Sequence, residues 1–240
     1  MTSILFVLAL ISGMLGLGVA FAAVPFLSLF LSDLVHQVQP ISLLLNGVTA
    51  AFAAYGFSQS RLIDWRKALI LAVATTAAAP VGSYMAQTTP PLYIWYFYLA
   101  AVVFLAYKLF RPTQAQPGGE NFPLVVMLAL PISLLSGFLG VGPGFLLMPT
   151  LILAGFETKR AAGINAVAVT PPSFSALLPH LSTAQFDPTL TWLLVFFGAV
   201  GSFAGAKITS LYLPSNRVKQ LFGILIVVMT IYKVSSLLSG

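Results

Sequence analysis

The chain has 240 residues, of which 59% are hydrophobic and only 7% are charged. Soluble domains carry roughly 25% charged residues, so this composition excludes a water-soluble globular protein and indicates one that folds in lipid. The formal net charge of +6 does not indicate a nucleic-acid partner, because the positive residues lie in short loops between apolar segments, where they orient a protein in the membrane. The chain has no cysteine, which excludes disulfides and cysteine metal sites.

Eight apolar segments follow one another along the chain. In lipid, every backbone polar group must be satisfied within the protein, which leaves helices or a closed barrel. Barrel strands alternate apolar and polar residues, and these segments do not, so we predict an all-α, polytopic helical membrane protein. The first segment has no preceding Lys or Arg, unlike a signal peptide, and we expect it to be retained. The segments cover residues 3–31, 38–60, 66–87, 92–110, 122–154, 161–180, 190–210 and 218–238.

Two similar stretches lie in the first and fifth segments. They read SGMLGLGVAFAAVPFL at residues 12–27 and SGFLGVGPGFLLMPTL at residues 136–151, with eight of sixteen positions identical. Further along, the halves still correspond, as at Asp64 and Asp187. We therefore predict an internal duplication, with a first repeat at 1–112, a linker at 113–121 and a second repeat at 122–240.

The positions of the eleven Lys and Arg residues indicate how the segments cross the membrane. If all eight segments crossed, the positives would divide six against five, without the excess that cytoplasmic loops normally show. If the first and fifth segments instead enter and return, ten of the eleven lie on one side. This predicts two inverted repeats, each with one broken re-entrant helix and three transmembrane helices, as in many transporters. Both termini would be outside and the basic loops cytoplasmic. The positive residues are Arg61, Arg66, Lys67, Lys108, Arg111, Lys159, Arg160, Lys207, Arg217, Lys219 and Lys233.

Glycines and one proline mark the breaks in these two segments. Glycine permits backbone angles closed to other residues, and proline stops an incoming helix. The helix arm after such a break begins with free N–H groups and a positive dipole end, which can bind an anion. The alternative, which the sequence leaves open, is that these small residues only let helices pack closely. The predicted substrate-binding positions here are Gly16, Gly18, Gly140, Gly142, Pro143 and Gly144.

Three polar residues in the segments that follow complete the predicted site. Asn46 and Asn165 could donate amide hydrogens to an oxyanion, or could hydrogen-bond between helices. Thr170 precedes Pro171 and Pro172, which predicts an interrupted helix with freed carbonyl groups. A threonine at such a position also often bonds its own helix backbone.

The remaining ionisable residues favour an anion as substrate. All five acids lie in or near loops, so no carboxylate is placed deep in a segment for a cation or a proton relay. His180 lies at the end of its segment, where we expect it near the outer surface, with or without a role in proton transfer. The sequence contains no catalytic motif, and we predict no cofactor, no metal and no enzymatic activity. The acids are Asp33, Asp64, Glu120, Glu157 and Asp187.

The two glycine stretches, the second extended as SGFLGVGPGFLLMPTLILAGFETKRAAGINAVAV, resemble the TauE/SafE family of membrane permeases, also called the sulfite exporter or TSUP group. The duplicated layout resembles that family over nearly the whole chain. The resemblance implies a bacterial inner-membrane transporter for a small sulfur-containing anion, such as sulfite or an organosulfonate, working by alternating access. Proton coupling and a homodimer are options that it leaves open. The alternatives are an anion channel with the same fold and a membrane assembly subunit that transports nothing.

Overall fold

The computed structural model describes residues 2–110 and 119–214, with positions 217, 220, 224 and 228 beyond them. Every regular element in these ranges is a helix, as predicted. Most of the predicted segment at 218–238 and of the linker at 113–121 falls outside the described residues. The helices are α1 (Thr2–Met14), α2 (Ala20–Leu27), a π-helix (Leu34–Val38), α3 (Gln39–Ser58), α4 (Trp65–Gln87), α5 (Pro91–Phe110), α6 (Phe122–Leu139), α7 (Gly144–Leu153), α8 (Thr158–Leu177), a 3-10 turn (Leu178–His180) and α9 (Pro188–Leu211).

The surface of the described chain suits a lipid environment. Val73, Met127 and Trp192 are 74%, 73% and 72% exposed, although each is a large apolar side chain. Such a surface would be costly in water, at about 25 cal/mol for each Å² of apolar area. Five helical stretches in the described ranges are long and apolar enough to cross a membrane. They are Leu34–Ser58, Trp65–Gln87, Phe122–Leu139, Thr158–His180 and Pro188–Leu211.

Matched N-caps begin corresponding helices in the two halves. The Asp64 carboxylate accepts a hydrogen bond from the N–H of Lys67 at the start of α4. Asp187 accepts one from the N–H of Leu190 at the start of α9. Each carboxylate satisfies an N–H that the first helical turn leaves open and complements the positive end of the helix dipole.

The helix α8 corrects one prediction, because it continues without a break through Pro171 and Pro172. A proline leaves the carbonyl four residues earlier without its usual donor. For Pro172 that carbonyl belongs to Ala168, and the hydroxyl of Thr75 on α4 lies 3.1 Å from it. The same hydroxyl lies 2.8 Å from the carbonyl of Leu71 in its own helix, so its one hydrogen is shared between the two helices. A neighbouring helix thus places a polar group beside the freed carbonyl, as membrane proteins with helical prolines commonly arrange.

Glycines at corresponding positions bring the halves together. A Cβ on Gly82 of α4 would lie closer than 3.0 Å to the carbonyl of Leu134 on α6. A Cβ on Gly205 of α9 would lie equally close to the carbonyl of Leu10 on α1. Each broken segment therefore packs its first arm against a glycine-bearing helix of the other half. These close contacts follow the small-residue packing expected of membrane helices. The internal duplication stays a prediction.

The fifth apolar segment enters and leaves at one end of the molecule. The N–H of Asn121, just before α6, donates to the carbonyl of Ala154, just after α7, at 2.8 Å. Lys67 pairs with Glu120 at this same end, which we call the basic end.

The first segment also returns, at the opposite end. Its arm α1 runs alongside α9 in the same direction. A Cβ on Gly201 would meet the carbonyl of Phe6 and one on Gly205 the carbonyl of Leu10, and further along the Thr209 hydroxyl donates to the carbonyl of Met14 at 2.9 Å. After α2, the chain meets the residues that precede α9, where the N–H of Gln185 donates to the carbonyl of His36 at 2.8 Å. Both broken segments thus fold back, and the inverted relation of the two halves across a bilayer stays a prediction.

Candidate functional site

The glycine hinges lie where the repeated stretches predict them. Gly16 and Gly18 have φ angles of +62° and +70°, and Gly140 and Gly142 have +69° and +68°. Other L-residues rarely adopt this left-handed region, whereas glycine does so without penalty. Residues 12–27 and 136–149 are all buried, so protein rather than lipid surrounds these irregular turns, as a break at membrane depth requires.

The two hinges are in contact with each other. A Cβ on Gly144 would lie closer than 3.0 Å to the carbonyl oxygen of Leu17. The Asn165 side-chain amide donates to the carbonyl of Gly16 at 2.7 Å and lies 3.3 Å from the carbonyl of Gly144. Asn165, on α8, therefore links the turn of one broken segment to the turn of the other.

Asn46, on α3, occupies a comparable bridging position. Its Oδ1 accepts a hydrogen bond from the N–H of Ala20 at 2.9 Å, and its Nδ2 donates to the hydroxyl of Ser173 at 2.8 Å. A Cβ on either Gly18 or Gly142 would collide with this side chain. The structure thus brings both predicted asparagines to the hinges.

The first hinge differs from the prediction of free N–H groups. The N–H of Val19 donates to the Thr49 hydroxyl at 3.1 Å, and the N–H of Ala20 donates to Asn46. Two polar side chains of α3 therefore cap the start of α2, in the way that Ser, Thr and Asn cap helices elsewhere. These two N–H groups are already bonded and are not available to a ligand.

The second hinge lacks these caps. Pro143 stands at the position that corresponds to Val19 and has no N–H. The N–H of Gly144 has no hydrogen-bond partner among the described residues, whereas its counterpart Ala20 is capped by Asn46. The N–H of Phe145 also has no partner there, as is true of its counterpart Phe21 at the first hinge. Val169 stands where the first half has Asn46, and its Cγ2 packs at 2.9 Å from the position of a Cβ on Gly144. The predicted open N–H groups thus occur at the start of α7.

Thr170 is the predicted site residue that no described contact joins to the hinges. Its hydroxyl donates to the carbonyl of Ala166, one turn earlier in α8, at 2.9 Å. The structure therefore shows the own-helix bond that the sequence offered as the alternative to ligand binding.

Three further polar side chains surround the second hinge, and the predicted site omitted them. Gln39 Nε2 donates to the carbonyl of Phe138 at 3.2 Å. Ser42 and Ser136 are fully buried, and their hydroxyl groups have no hydrogen-bond partner in the structure. The spacing of Gln39, Ser42 and Asn46 places all three on one face of a helix. This spacing is the sequence pattern from which Gln39 and Ser42 could have been predicted as site residues.

Formal charges lie away from the hinges. Ion pairs among the described residues include Asp33 with His36, and Lys67 with Asp64 and Glu120, all near helix ends. His180 is fully buried in the 3-10 turn that follows α8, and its expected position near the outer surface of the membrane stays a prediction. The hinge region itself therefore offers only neutral hydrogen-bonding groups.

Asp33 caps the π-helix and carries a perturbed carboxyl group. Partial burial raises the pKa of Asp33, but hydrogen bonds from the backbone and side chain of His36, and from the N–H of Val35, lower that pKa more. The net pKa lies below its ordinary value of 3.8. The carboxylate is therefore charged at neutral pH and pairs with His36 Nδ1 at 2.8 Å.

Comparison with known proteins gives the family. A family model described as sulfite exporter TauE/SafE matches residues 1–233. This chain belongs to the TauE/SafE family. A probable membrane transporter protein of Xylella fastidiosa strain Temecula1 is 26% identical over 181 residues, covering 70% of this chain and 68% of that protein. The probable membrane transporter protein YdhB of Bacillus subtilis is 21% identical over 217 residues, covering 87% and 89% of the two chains. No solved structure matches the chain.

Family membership and the apolar helices agree on one class of protein. The TauE/SafE chain described here is a multi-pass membrane transporter. The resemblance seen in the glycine stretches is thereby confirmed at the level of the family.

Proposed function

We propose that this TauE/SafE protein carries a small sulfur-containing anion, such as sulfite or an organosulfonate, across the bacterial inner membrane by alternating access. The observation that carries the proposal is the meeting of two re-entrant hinges inside the protein, with open N–H groups at the start of α7. A helix start of this kind attracts negative charge without any basic side chain. The description of the family as sulfite exporters supports the choice of anion.

The arrangement of the hinges supports a carrier with a central site. Asn46 and Asn165 each contact both hinges. A movement of one half against the other would therefore change the contacts of both asparagines and the geometry of the site. Inverted repeats that rock around a site between broken helices give alternating access in other transporters. The basic end would face the cytoplasm, in accord with the usual excess of positive residues there.

Flux measurements test the proposal. The purified full-length protein, reconstituted in liposomes, should take up radiolabelled sulfite or methanesulfonate with saturation. It should also show counterflow, in which unlabelled anion inside the liposomes accelerates uptake of labelled anion from outside. Uptake without counterflow would favour an anion channel, and the absence of flux for every anion would favour a non-transporting assembly subunit. Either result would contradict the proposed carrier.

A further inference from the structure

We infer that the protein binds one monoanion at the second hinge only, and that Ser42 and Ser136 donate hydrogen bonds to it. The inference rests on the proposed function, and it adds two ligand residues, the number of sites and the charge of the substrate. Duplicated hinges would otherwise suggest two equivalent anion sites. The structure distinguishes the two hinges by their capping and by their buried polar groups.

The first hinge is already occupied by the protein's own side chains. Thr49 and Asn46 accept hydrogen bonds from the N–H groups of Val19 and Ala20, at 3.1 Å and 2.9 Å. An anion would have to replace both acceptors, and Asn46 is held in place by its further bond to Ser173. At the first hinge, two side-chain oxygen atoms of the protein thus accept the hydrogen bonds that an anion would accept.

The second hinge combines open backbone donors with unsatisfied side chains. Besides the N–H groups of Gly144 and Phe145, four buried side-chain atoms around this hinge have no hydrogen-bond partner in the structure. Such atoms are rare in native proteins, because each costs about 1–3 kcal/mol unless a partner is supplied. The four are Gln39 Oε1, Ser42 Oγ, Ser136 Oγ and Asn165 Oδ1.

The positions of the two serines relate them to this hinge. Ser42 lies one turn after Gln39 and one turn before Asn46 on the same face of α3. Gln39 contacts Gly140, and Asn46 contacts Gly142, so the face that carries Ser42 lies against the hinge. Ser136 belongs to the hinge itself, since its carbonyl accepts the N–H of Val141 at 3.1 Å. A hydroxyl group can donate to an anion, and these two have no competing acceptor.

The absence of a positive side chain at the hinge sets the charge of the ligand. Among the described residues, no hydrogen bond or ion pair given for a Lys or Arg side chain reaches either hinge, so a bound anion would meet neutral donors. Burying charge without an opposite charge is expensive, and the cost rises steeply from one charge to two. Gln39 Oε1 and Asn165 Oδ1 are acceptors only and disfavour a dianion further. Either one could accept the single O–H of hydrogen sulfite. We therefore assign the ligand to the class of monoanionic sulfur oxyanions, such as hydrogen sulfite or an organosulfonate.

Counterflow of methanesulfonate in proteoliposomes tests the inference, with sulfate as the dianionic competitor. Ser42→Ala and Ser136→Ala should each raise the half-saturating concentration of methanesulfonate roughly tenfold, the value of one hydrogen bond to a charged group. Ser58→Ala is the matched control. It also lies on α3, where its hydroxyl bonds the carbonyl of Tyr55 away from the hinge, and it should leave the half-saturating concentration unchanged. Equilibrium dialysis should give one methanesulfonate per chain, and sulfate should compete at least tenfold less well.

The outcomes separate the inference from the proposed function. If the wild-type protein transports no anion, the proposed function fails. If it transports methanesulfonate but both serine variants behave like Ser58→Ala, the inference fails and the carrier stands. Two equivalent sites per chain, or sulfate competing as well as methanesulfonate, would also overturn the inference.

A further variant, Thr49→Val, removes a cap from the first hinge. It should lower the melting temperature and leave the half-saturating concentration unchanged, whereas a tenfold loss of affinity would place the anion at the first hinge.

Discussion

Replacing Gly142 by alanine perturbs the second hinge where it contacts the Asn46 side chain, which also bonds the first hinge. The residue has a φ of +68°, so a Cβ there costs about 1–2 kcal/mol in backbone strain. That Cβ would also lie closer than 3.0 Å to Asn46. Asn46 is fixed by hydrogen bonds of 2.9 Å and 2.8 Å, and displacing it would sacrifice about 1 kcal/mol for each bond. The expected total is about 3–4 kcal/mol, enough to change the hinge geometry.

Gly119→Ala is the matched control for this variant. Gly119 also has a positive φ, of +83°, but a Cβ there would meet nothing within 4 Å. The control therefore carries the backbone strain without the collision. We expect Gly142→Ala to lose at least tenfold in counterflow rate and to melt at a lower temperature, while Gly119→Ala keeps its counterflow.

A double variant keeps the test decisive if Gly142→Ala folds poorly. Asn46→Ala removes the side chain that the new Cβ would strike, so the two changes should not add. The double variant should melt above the temperature expected from the sum of the single effects, since residues in contact couple energetically. Additive losses of stability, or equal counterflow in Gly142→Ala and Gly119→Ala, would refute the reasoning.

Other predictions concern the helices that hold the hinges. Thr75→Val should destabilise the protein by about 1–3 kcal/mol, measured by thermal melting in detergent, because it leaves the carbonyl of Ala168 without a donor; an unchanged melting temperature would show that Pro172 needs no such partner. Gly82→Ala and Gly205→Ala should lower the melting temperature by similar amounts, since each Cβ would strike a carbonyl of the other half, and an effect from only one of them would contradict the matched packing. Asp33→Asn should lower the melting temperature at pH 7. The pKa of the folded carboxyl is lowered, so its stabilising effect is full above the ordinary value of 3.8 and disappears as the pH falls through the lower, folded pKa. The difference between variant and wild type should therefore close in acid, and a constant difference would be inconsistent with this linkage.

The hinges could be predicted from sequence because glycine and proline act locally. A left-handed turn favours glycine whatever surrounds it, and the repeated stretches place both turns at matching positions. The fold-back of the segments followed from their length and from the distribution of charged loops. Asn46 and Asn165 could be selected because an amide in an apolar helix needs a polar partner.

The features that sequence reasoning missed depend on contacts between distant residues. The helix α8 continues through its prolines, and the hydroxyl beside the freed carbonyl of Ala168 belongs to Thr75, 93 positions away along the chain. The first hinge is capped because α3 lies across it, and no local pattern shows that Asn46 faces Ala20 rather than a ligand. The same packing places Ser42 at the second hinge, whereas by sequence alone it is one of several hydroxyl residues in an apolar segment.

Labelling of single introduced cysteines tests the central claim, the return of both broken segments to the side from which they enter. The native chain has no cysteine, so each introduced thiol is the only target for a membrane-impermeant maleimide. In sealed, oriented vesicles, cysteines at Ser3 and Ser32, on either side of the first broken segment, should be labelled from one face. Cysteines at Gly119 and Glu157, on either side of the second, should be labelled from the other. If Ser3 and Ser32 were labelled from opposite faces, the first segment would cross the membrane, and the hinge could not be the centre of a carrier site.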